Sequence, residues 1–192
     1  MARNVEFNEE LAIQKAMEVF WEKGYNGTSL RDLTEAMQIN SSSLYNTIGD
    51  KEQLYFRCIK HYTDIRKSDL KARLSSDSSP KAILIQYVQD ATNVILGESK
   101  SCLAIKSAFE MGDSNPAVKQ LLKADSDVNY DFLCTLIGKA IDVKEINTQE
   151  SPEILADFFL SSWTGWYESY ILHKDEAKIR AMAAFFIRQI IR

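Results

Sequence analysis

Short hydroxyl and amide side chains are concentrated between residues 28 and 51. Three consecutive serines follow Asn40, which can cap a helix N-terminus, and they make the first turn of that helix too small and too polar to serve a core. Such side chains let a helix approach a groove and hydrogen-bond to base edges, while Lys51, at the start of a further helix, suits a phosphate. The pattern is therefore typical of DNA contact. The candidate contacts are Thr28, Ser29, Ser41, Ser42, Ser43, Tyr45, Asn46 and Lys51.

Two short helices and a turn are predicted to position these side chains. Hydroxyls at residues 28–29 can cap the first helix, and a three-residue turn at residues 38–40 leads to the second. On the second helix, Leu44 and Ile48 are expected to face the core while the serines and Asn46 face a groove. The D-x-x-Q spacing of residues 50–53 is that of a capping box for a third helix. The segment thus predicts a helix-turn-helix.

The rest of the chain predicts an all-α protein of about nine helices. Apolar residues recur at spacings of three and four almost throughout, and each of the three prolines follows a Ser or Asn, as at a helix start. Residues 1–50 form the predicted DNA-binding domain, here called the head. A connecting helix over 50–74 leads to a body over 75–192, which is expected to bind ligand and to dimerise. The predicted helices cover 8–24, three stretches between 29 and 74, 80–97, 101–111, 116–141, 153–173 and 175–191.

The head resembles the helix-turn-helix of the TetR/AcrR family of bacterial transcriptional regulators. The family pattern is T-S-x-x-D-L-x-x-A, a turn and S-x-x-L-Y-x-x-F-x-x-K-x-x-L. It is matched at Thr28-Ser29, Asp32-Leu33, Ala36, Ser41 to Ser43, Leu44-Tyr45, Lys51 and Leu54. Ile48 replaces the usual aromatic residue, and the N-terminal arm carries a single arginine, Arg3. Within the family, residues 7–30 look like the first helix of the copper-responsive outer-membrane repressor subgroup, and the match continues more faintly through Ser101-Cys102-Leu103 and residues 151–160. The resemblance implies a homodimeric repressor that leaves a near-palindromic operator when a small-molecule inducer binds.

Net charge argues against a broad basic surface for DNA. The chain has 23 Lys and Arg against 27 Asp and Glu, and its first 60 residues have 7 against 9. Affinity for DNA would therefore depend on a few well-placed side chains, on helix N-termini and on the two heads that a dimer provides. A helical ligand-binding protein that has lost DNA binding stays open as an alternative. A second alternative, an all-α metal-dependent enzyme, lacks paired E-x-x-H motifs and a phosphate loop, so we expect no enzyme activity, no cofactor and no metal.

Three cysteines without a C-x-x-C pair argue against a disulfide framework and a structural zinc site. Cys102 stands near a predicted helix N-terminus beside Lys100, which favours a thiolate sensor, although a small buried hydrophobic side chain is the simpler interpretation. No apolar run approaches the roughly 20 residues that span a bilayer, and no signal peptide is evident. A cytoplasmic protein is expected.

The last two predicted helices are apolar around most of their circumference, so that packing against one chain does not account for them. A second copy, packed as a four-helix bundle, is the predicted partner, and Gly165 permits close approach. The candidate dimer residues are Phe159, Gly165, Trp166, Tyr170, Phe186 and Ile190. A pocket for a small, largely apolar inducer is expected in the body. Its candidate walls are Tyr87, Cys102, Phe109, Phe132, Trp163 and Tyr167.

Overall fold

A computed structural model describes residues 8–97 and 102–190, and these residues form nine α-helices without a strand. The all-α prediction is confirmed, whereas Arg3 and Lys100 lie outside the described residues. The helices are α1 (Glu9–Gly27), α2 (Leu30–Met37), α3 (Ser41–Thr47), α4 (Lys51–Leu74), α5 (Pro80–Leu96), α6 (Leu103–Met111), α7 (Pro116–Asp142), α8 (Pro152–His173) and α9 (Glu176–Ile190). In the described part of the chain, no helix is both long enough and apolar enough to cross a bilayer.

Local side-chain caps set most of the helix starts. The side chains of Asn8, Ser29, Asn40, Ser79 and Ser151 each accept a hydrogen bond from a backbone N–H in the first turn of the helix that follows. These bonds satisfy N–H groups that have no partner within the helix. Pro80, Pro116 and Pro152 open their helices, as the sequence predicts. The boundaries are therefore encoded mainly by neighbouring residues.

The first helix differs from the prediction at its C-terminal end. It was expected to stop at Gly24, but it bends there and continues to Gly27. Gly24 has φ 76° and ψ 171°, a conformation that strongly favours glycine. The hydroxyl of Thr28 donates to the carbonyl oxygen of Gly24 at 2.6 Å, which gives one carbonyl at the bend a partner. The bend therefore interrupts the helix without ending it.

The chain forms two compact units, and each is discontinuous in sequence. The first unit contains Met1–Ile65 and Leu103–Leu122, and the second contains Arg66–Cys102 and Lys123–Arg192. Helices α4 and α7 contribute residues to both. The core of the first unit is built from α1 to α4 with α6 and the start of α7. Its fully buried members include Ala16, Phe20, Leu33, Leu44, Leu54, Ile59, Leu103 and Val118.

The second unit combines an aromatic core with a buried polar network. Arg66 donates to Asp125 at 2.7 Å and to the side-chain oxygen of Asn129 at 2.9 Å, and the hydroxyl of Tyr87 donates to the same oxygen at 2.9 Å. Burial raises the pKa of Tyr87 to about 12 and also raises the pKa of Asp125, although Arg66 opposes the second shift. The network links α4, α5 and α7 within this unit.

Candidate nucleic-acid interface

The helix-turn-helix geometry follows from two capping arrangements and one left-handed residue. Ser29 and Asp32 form a reciprocal capping box at the start of α2, and the side chain of Asn40 accepts from the N–H of Ser43 at 2.8 Å at the start of α3. Between them, Gln38 has φ 56°, which turns the chain out of α2. The three-residue turn and the second capping box, formed by Asp50 and Gln53 at 2.8 and 3.1 Å, match the sequence prediction.

Helix α3 separates polar from apolar residues as predicted. Leu44 and Ile48 are buried in the core of the first unit, whereas Ser41, Ser42 and Asn46 are exposed. Ser43 is half-buried, and the ring of Tyr45 is 51% exposed. Because the two sets lie on opposite sides of one helix, the exposed side presents hydroxyl and amide groups to solvent while the other side anchors the helix. This arrangement can deliver donors and acceptors to a groove.

Thr28 was predicted to contact DNA, but it lies inside the first unit. Its side chain is buried, and its hydroxyl is used in the hydrogen bond to the Gly24 carbonyl. A buried and committed hydroxyl does not reach DNA, so Thr28 is a structural residue of the α1–α2 junction. Ser29 is exposed, but its hydroxyl both donates to the Asp32 carboxylate and accepts from the Asp32 N–H. Its first role is therefore to cap α2.

Lys51 lies at the first position of α4, as predicted, and its ammonium sits over the ring of Tyr25, 4.3 Å from the ring centroid. A cation at this distance from an aromatic face is attracted to the ring. Burial lowers the pKa of Lys51, while the Glu110 carboxylate acts in the opposite direction. The ammonium therefore has a defined position at the N-terminus of a helix, where it can meet a phosphate.

Several other cations in the first unit are paired with carboxylates of the same unit. Lys23 pairs with Asp32 at 2.5 Å and Arg31 pairs with Glu35 at 2.7 Å, both beside α2. The Lys23 ammonium and the Ser29 groups hold the pKa of Asp32 well below its usual range. These pairs explain how a unit with an acidic balance keeps its charges locally compensated. Net charge is for this reason a poor guide to the potential near α3.

Most residues predicted to line an inducer pocket are buried in the second unit. Tyr87 and Phe132 lie with ring centroids 5.0 Å apart, and the indole N–H of Trp163 donates to the Ala91 carbonyl at 3.1 Å. Cys102 and Tyr167 are also buried there. Phe109 differs, because it belongs to the first unit and its side chain is 74% exposed. It lies on the solvent side of α6 and not in an aromatic core.

One cavity described near these residues is small. A space of about 10 Å³ lies in the second unit, which is close to the room that one water needs. Its lining is apolar. The lining residues are Leu84, Leu133, Ile137, Ile146, Leu155, Phe159 and Phe186. A drug-sized ligand at this place would have to displace side chains, since ordinary ligand sites occupy about 300–1,000 Å³.

The predicted dimer residues divide into two groups. Phe159, Trp166 and Phe186 are buried within the chain, and the Phe186 ring lies 5.2 Å from that of Phe159 and 6.0 Å from that of Trp166. These three residues form the joint between α8 and α9, so their prediction as partner contacts is wrong. Tyr170 is half-buried, and the side chain of Ile190 lies outside the described residues.

Gly165, by contrast, lies on an exposed stripe of α8. Ile154, Phe158 and Leu172 are between 52% and 68% exposed, and together with Gly165 they recur at spacings of 4, 7 and 7, which places them on one helix face. We call these four residues the α8 stripe. A Cβ atom added at Gly165 would meet nothing within 4 Å. On α9, Phe185 is 59% exposed. Sequence periodicity identified the apolar character of both helices but not which residues their own chain covers.

Comparison with known protein families matches the two parts of the chain separately. Residues 12–58 match a family described as bacterial regulatory proteins, tetR family, and residues 82–186 match one described as tetracyclin repressor-like, C-terminal domain. The HTH-type transcriptional regulator YezE of Bacillus subtilis is 31% identical over 153 residues, which cover 79% of each chain. The HTH-type transcriptional repressor DhaR of Mycobacterium sp. is 25% identical over 155 residues, which cover 80% of this chain and 77% of DhaR.

Solved structures share the fold at low sequence identity. A cysteine mutant of the TetR family transcriptional regulator CifR, complexed with 26-base-pair double-strand operator DNA, has a TM-score of 0.80 at 24% identity. The match covers 98% of this chain and all of the CifR chain. At this level of identity, the likeness establishes a common fold.

Proposed function

This chain belongs to the TetR family of bacterial regulatory proteins, and from that premise we propose that it is a ligand-responsive transcriptional repressor. As a homodimer it would bind a near-palindromic operator and leave it when a small-molecule inducer binds. The family consists of transcriptional regulators and not of enzymes. Binding to chromosomal DNA would place the protein in the cytoplasm.

The observation that carries this proposal is the composition of the two sides of α3. Ser41, Ser42 and Asn46 are exposed on a helix whose N-terminus is capped by Asn40 and whose opposite side is fixed by buried Leu44. A rigid helix of this kind can enter the major groove and read base edges. The operator complex of CifR, which has the same fold, supports this use of the helix-turn-helix. Residues 1–50 form the proposed DNA-binding domain, and we add Leu103–Leu122 to its supporting structure.

A second copy of the chain is the proposed partner of the α8 stripe and Phe185. A two-fold axis would place two α3 helices about 34–36 Å apart, in successive major grooves. The exposed apolar stripe and the open space around Gly165 support a helix–helix contact between subunits. This interface keeps Gly165 and the same two helices, and its other residues lie beside those that the sequence predicted.

The part of the second unit that belongs to the body is the proposed inducer site. Its buried aromatic and apolar side chains favour a largely apolar molecule, and binding at the small cavity beside Phe159 would shift side chains. An inducer acts only if it binds the DNA-incompetent state more tightly than the DNA-bound state. The resemblance of residues 7–30 to the copper-responsive outer-membrane repressor subgroup supports a place near that subgroup within the family. Cys102 is a further proposed trigger, although its 1% exposure restricts access by reagents.

Operator selection from randomised DNA tests the proposal, and α3 mutants sharpen the test. Ser42→Ala and Asn46→Ala are expected to change base preference without lowering the melting temperature, because both side chains are exposed. A lost base contact costs about 1–3 kcal/mol of discrimination. Gln89→Ala on α5 serves as an exposed control that should keep the wild-type preference. Identical preferred sequences for wild type and both α3 mutants would contradict the assignment.

Lys51→Ala is expected to weaken binding to all operator variants alike. Loss of one phosphate contact reduces the slope of log K against log salt by about 0.9 in each subunit. Tyr45→Phe should likewise weaken binding without changing base preference, since its exposed hydroxyl is proposed to contact the backbone. Titrations at a series of salt concentrations measure both effects. An unchanged slope and affinity in Lys51→Ala would remove Lys51 from the interface.

A further inference from the structure

Helix α6 bonds to α1 at the bend, through two side chains that are one turn apart. The ammonium of Lys106 donates to the carbonyl oxygens of Trp21 at 3.0 Å and Glu22 at 3.1 Å. The backbone N–H of Tyr25 donates to a carboxylate oxygen of Glu110 at 2.5 Å. In an uninterrupted helix, the Tyr25 N–H would donate to the Trp21 carbonyl. At the bend, α6 thus supplies a partner to both members of that backbone pair.

The absence of a side chain at Gly24 allows this arrangement. A Cβ atom at Gly24 would collide with the carboxylate of Glu110, and the positive φ of Gly24 turns the chain so that the Tyr25 N–H faces that carboxylate. A hydrogen bond from an N–H to a carboxylate is roughly twice as strong as one between neutral groups. The bend, the glycine and Glu110 are therefore parts of one feature.

Tyr25 connects this feature to the proposed phosphate contact. Its ring lies under the ammonium of Lys51 and packs against the ring of Tyr55, with centroids 4.9 Å apart. The hydroxyl of Tyr55 in turn donates to Ser107 of α6 at 2.7 Å. Tyr25, whose ring lies under the Lys51 ammonium, is thus held to α6 in two ways. Its backbone N–H bonds to Glu110, and its ring packs against Tyr55, which bonds to Ser107. All of these contacts lie within the first unit.

We propose that Glu110, assisted by Lys106, is a positioning residue for DNA binding: it fixes Tyr25 so that the Lys51 ammonium is held where a phosphate meets the start of α4. Apolar burial of α6 is already supplied by Leu103 and Met111. Two charged side chains that bond to backbone groups at a bend add directional constraint, which packing alone does not provide. The inference rests on the proposed operator binding, and it assigns α6 a part in that binding without contact to DNA.

The salt dependence of operator binding distinguishes a positioning role of Glu110 from a role in stability alone. Operator affinity is measured against KCl concentration for wild type, Lys51→Ala, Glu110→Ala and the double mutant. Glu110→Ala should reduce the slope in the same direction as Lys51→Ala, by up to about 1.8 for the two subunits. In the double mutant, the slope should equal that of Lys51→Ala alone, because Glu110 acts through Lys51. A role limited to stability would lower the active fraction and leave the slope unchanged.

Two matched variants complete the design. Glu110→Gln keeps an acceptor for the Tyr25 N–H and removes the charge, so it should keep the wild-type slope and exclude a direct effect of the negative charge on DNA. Lys106→Met keeps the apolar stem, and it should reduce the slope and speed hydrogen exchange at the Tyr25 N–H. If Glu110→Ala does not fold, Lys106→Met replaces it in the test.

The outcomes distinguish this inference from the function on which it rests. The positioning role would be overturned if Lys51→Ala had a reduced salt slope while Glu110→Ala kept the wild-type slope. Lys106→Met takes the place of Glu110→Ala if the latter does not fold. This outcome would leave the proposed operator binding intact. The positioning role would also be overturned if the reduction of the salt slope in the double mutant equalled the sum of the reductions in the two single mutants. Absence of salt-dependent operator binding by the wild type would overturn both proposals.

Discussion

Replacing Gly165 by Leu is expected to convert the dimer to a monomer and to lower operator affinity by about 10²–10⁴-fold, the range lost when two linked binding events become one. Within one chain there is room for the new side chain, since a Cβ at this position meets nothing within 4 Å. Leu also favours a helix over Gly by roughly 0.5–1 kcal/mol. The monomer should therefore stay folded while close approach of a second α8 is blocked.

Sedimentation at micromolar concentration and a thermal melt measure the two consequences separately. Gln89→Leu places the same side chain at an exposed position of α5, and this variant should remain dimeric. Phe185→Glu is the second test, because Phe185 is exposed, whereas Phe186→Glu would place a charge in the α8–α9 joint and unfold it. A dimeric Gly165→Leu with wild-type affinity would show that the subunits meet elsewhere.

Replacing Leu44 by Ala is expected to destabilise the first unit by about 2–5 kcal/mol, the usual range for truncation of a fully buried Leu. Leu44 anchors α3, so operator binding should fall together with stability. Native-state hydrogen exchange measures the effect, with faster exchange in first-unit amides and unchanged exchange in the core of the second unit. Leu30→Ala is the control, since Leu30 is 36% exposed and should lose less. Equal losses in the two variants would mean that α3 is not anchored through Leu44.

The helix-turn-helix was predictable because its signals are local. Asn40 caps α3, Asp50 and Gln53 cap α4, and the polar and apolar sides of α3 follow from spacing alone. Each of these interactions joins residues at most four apart, so a single stretch of sequence contains both partners. The same is true of the helix starts at the three prolines. Short-range capping thus accounts for most of the agreement in helix boundaries.

The features that sequence analysis missed depend on distant partners. Gly24 resembles a helix end, and only contact with α6, some 85 residues later, shows why α1 resumes. Phe185 and Phe186 are adjacent and chemically identical, yet one is exposed and the other fills the α8–α9 joint. Periodicity places the two rings on different faces of α9, but only the packing of α8 shows that the face of Phe186 is covered by its own chain and not by a partner. Thr28 is a different case, because its buried hydroxyl donates to the Gly24 carbonyl only four residues away, and that bond becomes evident only once the bend is known.

The discontinuous first unit has a consequence for biosynthesis. Leu103 and Val118 are fully buried in its core, so a nascent chain that has exposed only its first 65 residues lacks part of that core. At about 5–20 residues per second, a further 3 to 11 seconds or so pass before Leu122 is made. During that interval α3 has been synthesised, but the core that holds it still lacks the residues of α6 and α7. The complete core of the DNA-binding unit is thus delayed until Leu122 has been made.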